Sequence, residues 1–273
     1  MQLNSRISEG QLVLPEGLTI FRNQGLITLT INRENDKNRI TLEVLQAMLK
    51  FFECIAKDET AHALVITGAG SDVFSFGLLN PALRSSMSKE EVVSLIRFGN
   101  KVFDCIENLP QIVIAGINGK VIAGGAELSL ACDIRYASDN ATLSFPEAGW
   151  GGFPGAGAPV RLPVLIGRAR TIELICTGNE ITARQLEQWG LVQAVFPKAS
   201  FMKEINLIAK KISLAGPLAI KGAKKIVNTR LEPGFINASI LSQELRHDLE
   251  WSEDVAEGMR AHHENRTPKF KGF

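Results

Sequence analysis

Apolar positions along the chain keep two different periods, and each change of period marks an element. Leu18 to Phe21 and Leu26 to Ile31 are short apolar and β-branched runs separated by Asn23, Gln24 and Gly25, a pattern that predicts a hairpin. Leu42, Leu45, Leu49, Phe52 and Ile55 then recur at helical spacing behind Thr41, so a capped helix is expected from Leu42 to about Lys57. Ala63 to Thr67 reads as a short buried strand, Ser88 to Leu109 as an amphipathic helix stopped by Pro110, and Ile112 to Ile117 as a strand. Further strands are expected at Asp133 to Ala137 and Thr142 to Phe145. From Arg168 the period is helical, broken only at Leu191 to Phe196. The last helices are expected over Ser200 to Leu214, Pro217 to Thr229, Ile236 to Trp251 and Ser252 to His263. Met1 to Glu16 shows no period and is expected to be a loose extension. The pattern as a whole is that of an α/β chain with one break near residue 200, giving a core of residues 1–200 and a helical region of residues 201–273.

One stretch interrupts this regular picture. Asn118 to Asp133 leaves a strand, turns through glycines and continues as a short apolar segment in which Glu127 is the only charged side chain before Asp133. A carboxylate among Ala, Leu and Cys loses hydration worth several kcal/mol, so it must be hydrogen-bonded, kept protonated, or retained for chemistry. Gly124 and Gly125 carry no side chain, which lets a ligand approach backbone N–H groups closely. A second glycine-rich segment, Pro146 to Gly157, bears one carboxylate, Glu147, and a third runs from Gly68 to Asn80. Taken singly, Glu127 could be a helix carboxylate bonded to nearby N–H groups, Glu147 a solvated loop acid, and Gly77 and Gly124 turn glycines.

Composition narrows the function classes. The chain has 273 residues, 45% hydrophobic and 22% charged, with a formal net charge of +1, which argues against a broad phosphate-tracking surface and so against nucleic acid. No basic start followed by an apolar core opens the sequence, and no apolar run reaches the roughly 20 residues of a membrane span, so a cytoplasmic protein without a membrane partner is expected. Cys54, Cys105, Cys132 and Cys176 are far apart, with no C-x-x-C and no adjacent histidines, and read as reduced core residues. No metal site is expected. The histidines form no triad with a nucleophile.

The spacing from Ile117-Asn118-Gly119 through Gly124-Gly125-Ala126-Glu127 and Ala131-Cys132-Asp133, then Phe145-Pro146-Glu147, Pro154-Gly155-Ala156-Gly157 and Thr177-Gly178, resembles the crotonase superfamily and its enoyl-CoA hydratases. The likeness extends from Ile31-Asn32-Arg33 and Asn38 to the final Thr267-Pro268-Lys269-Phe270-Lys271-Gly272. It implies a crotonase-like spiral of ββα units, a C-terminal helical trimerisation region and a homotrimer or homohexamer. The implied substrate is an acyl-CoA, with coenzyme A part of the substrate and no separate cofactor. The two oxyanion donors become the N–H groups of Leu78, just after Gly77, and of Gly124. Donors of this kind are worth about 3–4 kcal/mol each for charge that develops in a transition state. Glu127 and Glu147 match the two acids that hold a water and move its protons. The expected reaction is syn hydration of a trans-2-enoyl-CoA.

Several positions depart from that family pattern. Leu79, followed by Asn80-Pro81, stands where an acid is usual, Phe76 where a small residue is usual near adenine, and Asp72 and Pro81 where lysines meet CoA phosphates. Arg39 replaces an alanine and could meet a phosphate or face water. Phe270 and Lys271 match a C-terminal position that touches CoA, and Trp150 is placed to fill part of an acyl pocket shaped with Gly155. Isomerisation by one base, other chemistry of the superfamily, and a non-catalytic acyl-CoA-binding oligomer remain open alternatives on sequence alone.

Overall fold

The computed structural model describes residues 9–231, 252–264 and 266–273; the helix expected at Ile236 to Trp251 lies outside them. Three strands open the chain, β1 (Gly10–Leu14), β2 (Leu18–Asn23) and β3 (Leu26–Ile31), paired antiparallel. The first of these corrects the expected loose extension. Its edge position explains the weak signal, because Leu14 is buried while Val13 is exposed and one partner strand suffices. The β2–β3 turn passes through Gln24 at φ 55°, as a tight turn requires.

After helix α1 (Leu42–Ile55), capped by the Thr41 side chain, the chain visits two sheets in alternation. It forms β4 (Ala63–Gly68) in the large sheet and then β5 (Val73–Ser75) in the small one; next come β6 (Ile112–Ile117) and β7 (Lys120–Ile122), then β8 (Ile134–Ser138) and β9 (Thr142–Ser144). Helices follow each pair. After β5 come α2 (Pro81–Ser85) and α3 (Lys89–Glu107), after β7 comes α4 (Gly124–Leu130), and after β9 come a 3-10 turn (Pro146–Trp150), α5 (Ala158–Ile166) and α6 (Arg168–Thr177). The repeat is a spiral of ββα units. Its large sheet has the order β1-β2-β3-β4-β6-β8-β11, with β11 at Ala194–Phe196, and is parallel from β3 onward. The small sheet has the order β10-β9-β7-β5, where β10 (Ile181–Thr182) pairs antiparallel with β9. Helix α7 (Ala183–Gln188) starts directly from β10.

Both faces of the large sheet are covered, which is why β4 and β6 read as continuous apolar runs. Leu64, Ile66, Val113 and Ala115 face the main core, while Val65 and Ile114 face α8 (Phe201–Ser213), whose Phe201, Ile205 and Ala209 recur four apart. α9 (Pro217–Leu231) and α10 (Glu253–His263) complete the described helices. Cys132 is buried as expected, whereas Cys176 is exposed on α6, which corrects its reading as a core residue. All four cysteines are free thiols. No helix among the described residues is long and apolar enough to cross a membrane.

The consequence for function is positional. β5, β7 and β9 are adjacent and parallel, so their C-terminal ends deliver Gly77-Leu78, Gly124 and Glu147 to one edge of the small sheet.

Candidate active site

The Leu78 N–H is aimed by the peptide before it. Ser75 Oγ donates to the Asn38 carbonyl at 2.7 Å and accepts from the Gly77 N–H at 3.0 Å, while the Gly77 carbonyl accepts from the Ile40 N–H at 2.9 Å. In a trans peptide the N–H points opposite to the carbonyl, so the Leu78 N–H is turned away from Ile40. Gly77 has φ +74°, and a Cβ there would stand 2.6 Å from both the Gly124 and Gly125 nitrogens. Only glycine fits that approach.

Two buried asparagines hold the loop that leads into β5. Asn38 Nδ2 donates to the carbonyls of Ala69 and Val73 at 2.9 and 2.8 Å, and Asn118 Nδ2 donates to those of Gly68 and Gly70 at 3.0 and 2.9 Å. Fully bonded, these side chains rigidify the segment.

Gly124 begins α4 after Ala123, whose φ of 55° and ψ of −127° lie in a region costing of order 1–3 kcal/mol for an L residue. The Ala123 N–H donates to Ser144 O at 3.1 Å and its carbonyl accepts from the Glu127 N–H at 3.1 Å, so the strained turn is tied to β9 and to the helix. The Gly124 N–H consequently points back out of the helix. A Cβ on Gly124 would sit 3.0 Å from the Leu78 nitrogen, which places the two amides side by side. Neither N–H donates to another group among the described residues. Such a pair suits an oxygen that gains negative charge.

Glu127 lies one helical turn beyond Gly124 and is 2% exposed. Its Oε1 accepts from the Ala156 and Ala158 N–H groups at 2.8 and 3.0 Å. Burial pushes its carboxyl from the ordinary 4.5 to about 7, against the lowering effect of those two N–H groups and of the Arg161 charge. Glu147, on the 3-10 turn after β9, is likewise pushed up to about 7, first by burial and then by the charge of Glu127. Its Oε2 is enclosed without a hydrogen-bond partner. A buried acid oxygen left unpartnered is costly and fits a proton or water supplied by a ligand.

The other expected site residues divide into two groups. Gly155 packs against Ile96 of α3, where a Cβ would meet Ile96 at 2.7 Å, and Trp150 is 40% exposed beside the Glu147 turn. Phe76 is half-buried, with its N–H donating to Lys37 O at 3.1 Å. Arg39 does not face water; its Nη2 donates to the Leu78 carbonyl at 3.3 Å and its Nε lies 3.9 Å from Asp36. Phe270 and Lys271 stand apart from this cluster within one protomer. The Phe270 ring packs over Gly216 and Gly258, and the Lys271 N–H donates to Asp254 Oδ1 at 2.6 Å.

The departures from the family pattern also acquire local causes. Asn80 caps α2, accepting from the Leu83 N–H at 2.7 Å, and Pro81 occupies the first helical turn, so Leu79-Asn80-Pro81 is a helix start. Asp72 is paired with Lys198.

Sequence reasoning missed Arg161. It is buried on α5, donating to Ala156 O at 3.2 Å, to Asp104 Oδ1 at 2.5 Å and to Glu107 Oε2 at 3.1 Å. The signal was present, because Arg161 is the only charged residue between Ala158 and Ile166, the same anomaly that singled out Glu127.

Known proteins resemble this chain over nearly its whole length. The family described as "Enoyl-CoA hydratase/isomerase" matches residues 21–272. The short-chain-enoyl-CoA hydratase of Clostridium acetobutylicum is 33% identical over 258 residues, covering 93% of this chain and 97% of its own. The crotonyl-CoA hydratase of Syntrophomonas wolfei is 31% identical over 255 residues, covering 93% and 98%. The crystal structure of an enoyl-CoA hydratase from Bacillus anthracis superposes with a TM-score of 0.90 at 32% identity, covering 94% of this chain and 100% of that one. The chain belongs to the enoyl-CoA hydratase/isomerase family of the crotonase superfamily.

Proposed function

We propose that the protein is an enoyl-CoA hydratase that adds water syn across the double bond of a trans-2-enoyl-CoA. The observation that carries this reading is the acid pair. Burial pushes both the Glu127 and the Glu147 carboxyl up to about 7, the charge of Glu127 raises Glu147 further, and Glu147 keeps an enclosed oxygen without a partner. At neutral pH such a pair holds about one proton between its members and titrates jointly.

In this reading the thioester oxygen sits between the Leu78 and Gly124 N–H groups. Glu127, ionised and anchored through Oε1, uses its other oxygen to take a proton from water as the water oxygen bonds to the β-carbon. The π electrons move onto the thioester, and the two amides hold the resulting enolate oxygen. Glu147 donates its proton to the α-carbon, the carbonyl re-forms, and one proton passing between the two acids restores the starting state. Both acids acting favours hydration over isomerisation, which needs a single base.

Arg39, Phe76, Gly77, Trp150 and Gly155 surround the acyl-CoA in this scheme, and Trp150 favours short acyl groups. Phe270 and Lys271 reach CoA from an adjoining subunit of a homotrimer or homohexamer, the 1–200 core carrying the chemistry and residues 201–273 the assembly contacts. Turnover of crotonyl-CoA by E127Q and E147Q tests the scheme. Each variant is expected to bind the thioester and lose hydration, and wild-type turnover in both overturns it. Binding without turnover in the unmodified protein would instead mark a non-catalytic acyl-CoA binder.

A further inference from the structure

Glu127 is oriented by two backbone amides at the start of α5, where Gly157 precedes the helix and its carbonyl accepts from the Val160 and Arg161 N–H groups at 3.2 and 3.0 Å. Ala156 and Ala158 flank Gly157, whose φ of +115° favours glycine, and the Ala156 side of the turn lies outside the helix. Side-chain support for that end comes from Arg161 and from α3 behind it. The Arg161 guanidinium, buried behind the turn, holds the Ala156 carbonyl and is itself gripped by Asp104 at 2.5 Å and Glu107 at 3.1 Å, both on α3. The same helix carries Ile96 against Gly155 and Gly99 against the Leu78 side chain, so one rigid element backs the amide pair and the turn together.

We propose that Arg161, clamped by Asp104 and Glu107, is the positioning residue for the Glu127 base, fixing the Ala156 and Ala158 amides that hold its carboxylate. The inference rests on the hydration reading above. It also predicts an electrostatic signature. The charged groups facing Glu127 are Glu147 from the 3-10 turn and Arg161 from α5, with Asp104 and Glu107 of α3 balancing Arg161. Removing Arg161 raises the pH at which Glu127 ionises. Removing its two carboxylate partners leaves the guanidinium unbalanced and lowers that pH.

The test measures kcat, KM and the pH dependence of crotonyl-CoA hydration in R161M, R161K and the D104N/E107Q double variant. For R161M, kcat is expected to fall roughly 10–100-fold with KM nearly unchanged, the effect of misplacing a reacting group by about an ångström. Its acidic limb moves to higher pH, R161K recovers part of both effects, and D104N/E107Q moves the acidic limb the opposite way. A folded R161M with wild-type kcat and an unmoved acidic limb overturns the proposal. If R161M fails to fold, an unmoved limb in D104N/E107Q overturns it instead. If the unmodified protein hydrates no enoyl-CoA, the functional reading has failed separately. The Arg161 role then stands or falls on whether the Glu127 carboxyl, followed by 13C NMR, titrates at lower pH in D104N/E107Q.

Discussion

Leu78 and Gly124 reach their places on backbone alone, from the ends of two neighbouring parallel strands, whereas Glu127 and Glu147 are brought together by a helix and a loop with no ladder between them. The amide side is over-determined. Asn38, Asn118 and Ser75 fasten the segments before Leu78, backbone bonds to Ser144 and Glu127 fasten the turn before Gly124, and Gly77 admits no side chain between the two donors. The acid side is electrostatically costly, with two buried carboxyls, a turn backed by the buried Arg161 side chain and a Glu147 oxygen that lacks a partner. A donor pair must be ready before charge develops, while acids that exchange protons must sit where neither ionised nor neutral form is strongly preferred.

That contrast is testable from both sides. Replacing either acid, in E127Q or E147Q, is expected to lower kcat on crotonyl-CoA by roughly 10²–10⁴-fold in steady-state assays. The double variant should lose little more than the worse single one, because groups acting as a unit are not additive. G77A attacks the other half. Its Cβ would meet the Gly124 and Gly125 nitrogens at 2.6 Å, so a loss of about 10²–10³ in kcat is expected. The melting temperature should fall with it, since backbone rather than a flexible side chain must give way.

Stability should respond to the acids in the reverse sense. Burial raises the Glu127 carboxyl from 4.5 to about 7, so the folded protein binds this proton more tightly than the unfolded chain does. Its contribution is complete below pH 4.5 and is lost as pH rises to about 7. E127Q stays neutral and keeps an acceptor for the two amides. It is expected to exceed the wild type by up to about 3 kcal/mol in denaturant melts above pH 7, since each pH unit between the folded and unfolded midpoints is worth about 1.4 kcal/mol, and to match it below pH 4.5. The smallest effect is expected for N80A, which removes the α2 cap and should cost about 1 kcal/mol with hydration nearly intact.

The two halves also differ in how far they could be read from the chain. Glycines and the turn chemistry around Gly77 and Gly124 announced a backbone site, and the strand runs announced the core, because each depends on residues close in sequence. A buried Glu127 declared itself by its apolar neighbours. Long-range contacts left weaker marks. Nothing near Leu12 or Val13 shows that β1 will find β2, and the clamp of Asp104 and Glu107 on Arg161, behind the turn that holds Glu127, joins segments far apart in sequence. Arg39 could have met a phosphate or faced water on sequence alone, and only the fold brings the Leu78 carbonyl to it. The alternation between two sheets, which gathers three strand ends at one edge, is a property of pairing order rather than of any single run.

The most direct test of the acid pair is a 13C NMR titration of the glutamate carboxyls in the unliganded protein, with E127Q and E147Q assigning the two signals. Both carboxyls are predicted to titrate near 7, that of Glu147 shifting toward a lower midpoint when Glu127 is replaced. Two independent titrations near the ordinary 4.5 would contradict the account.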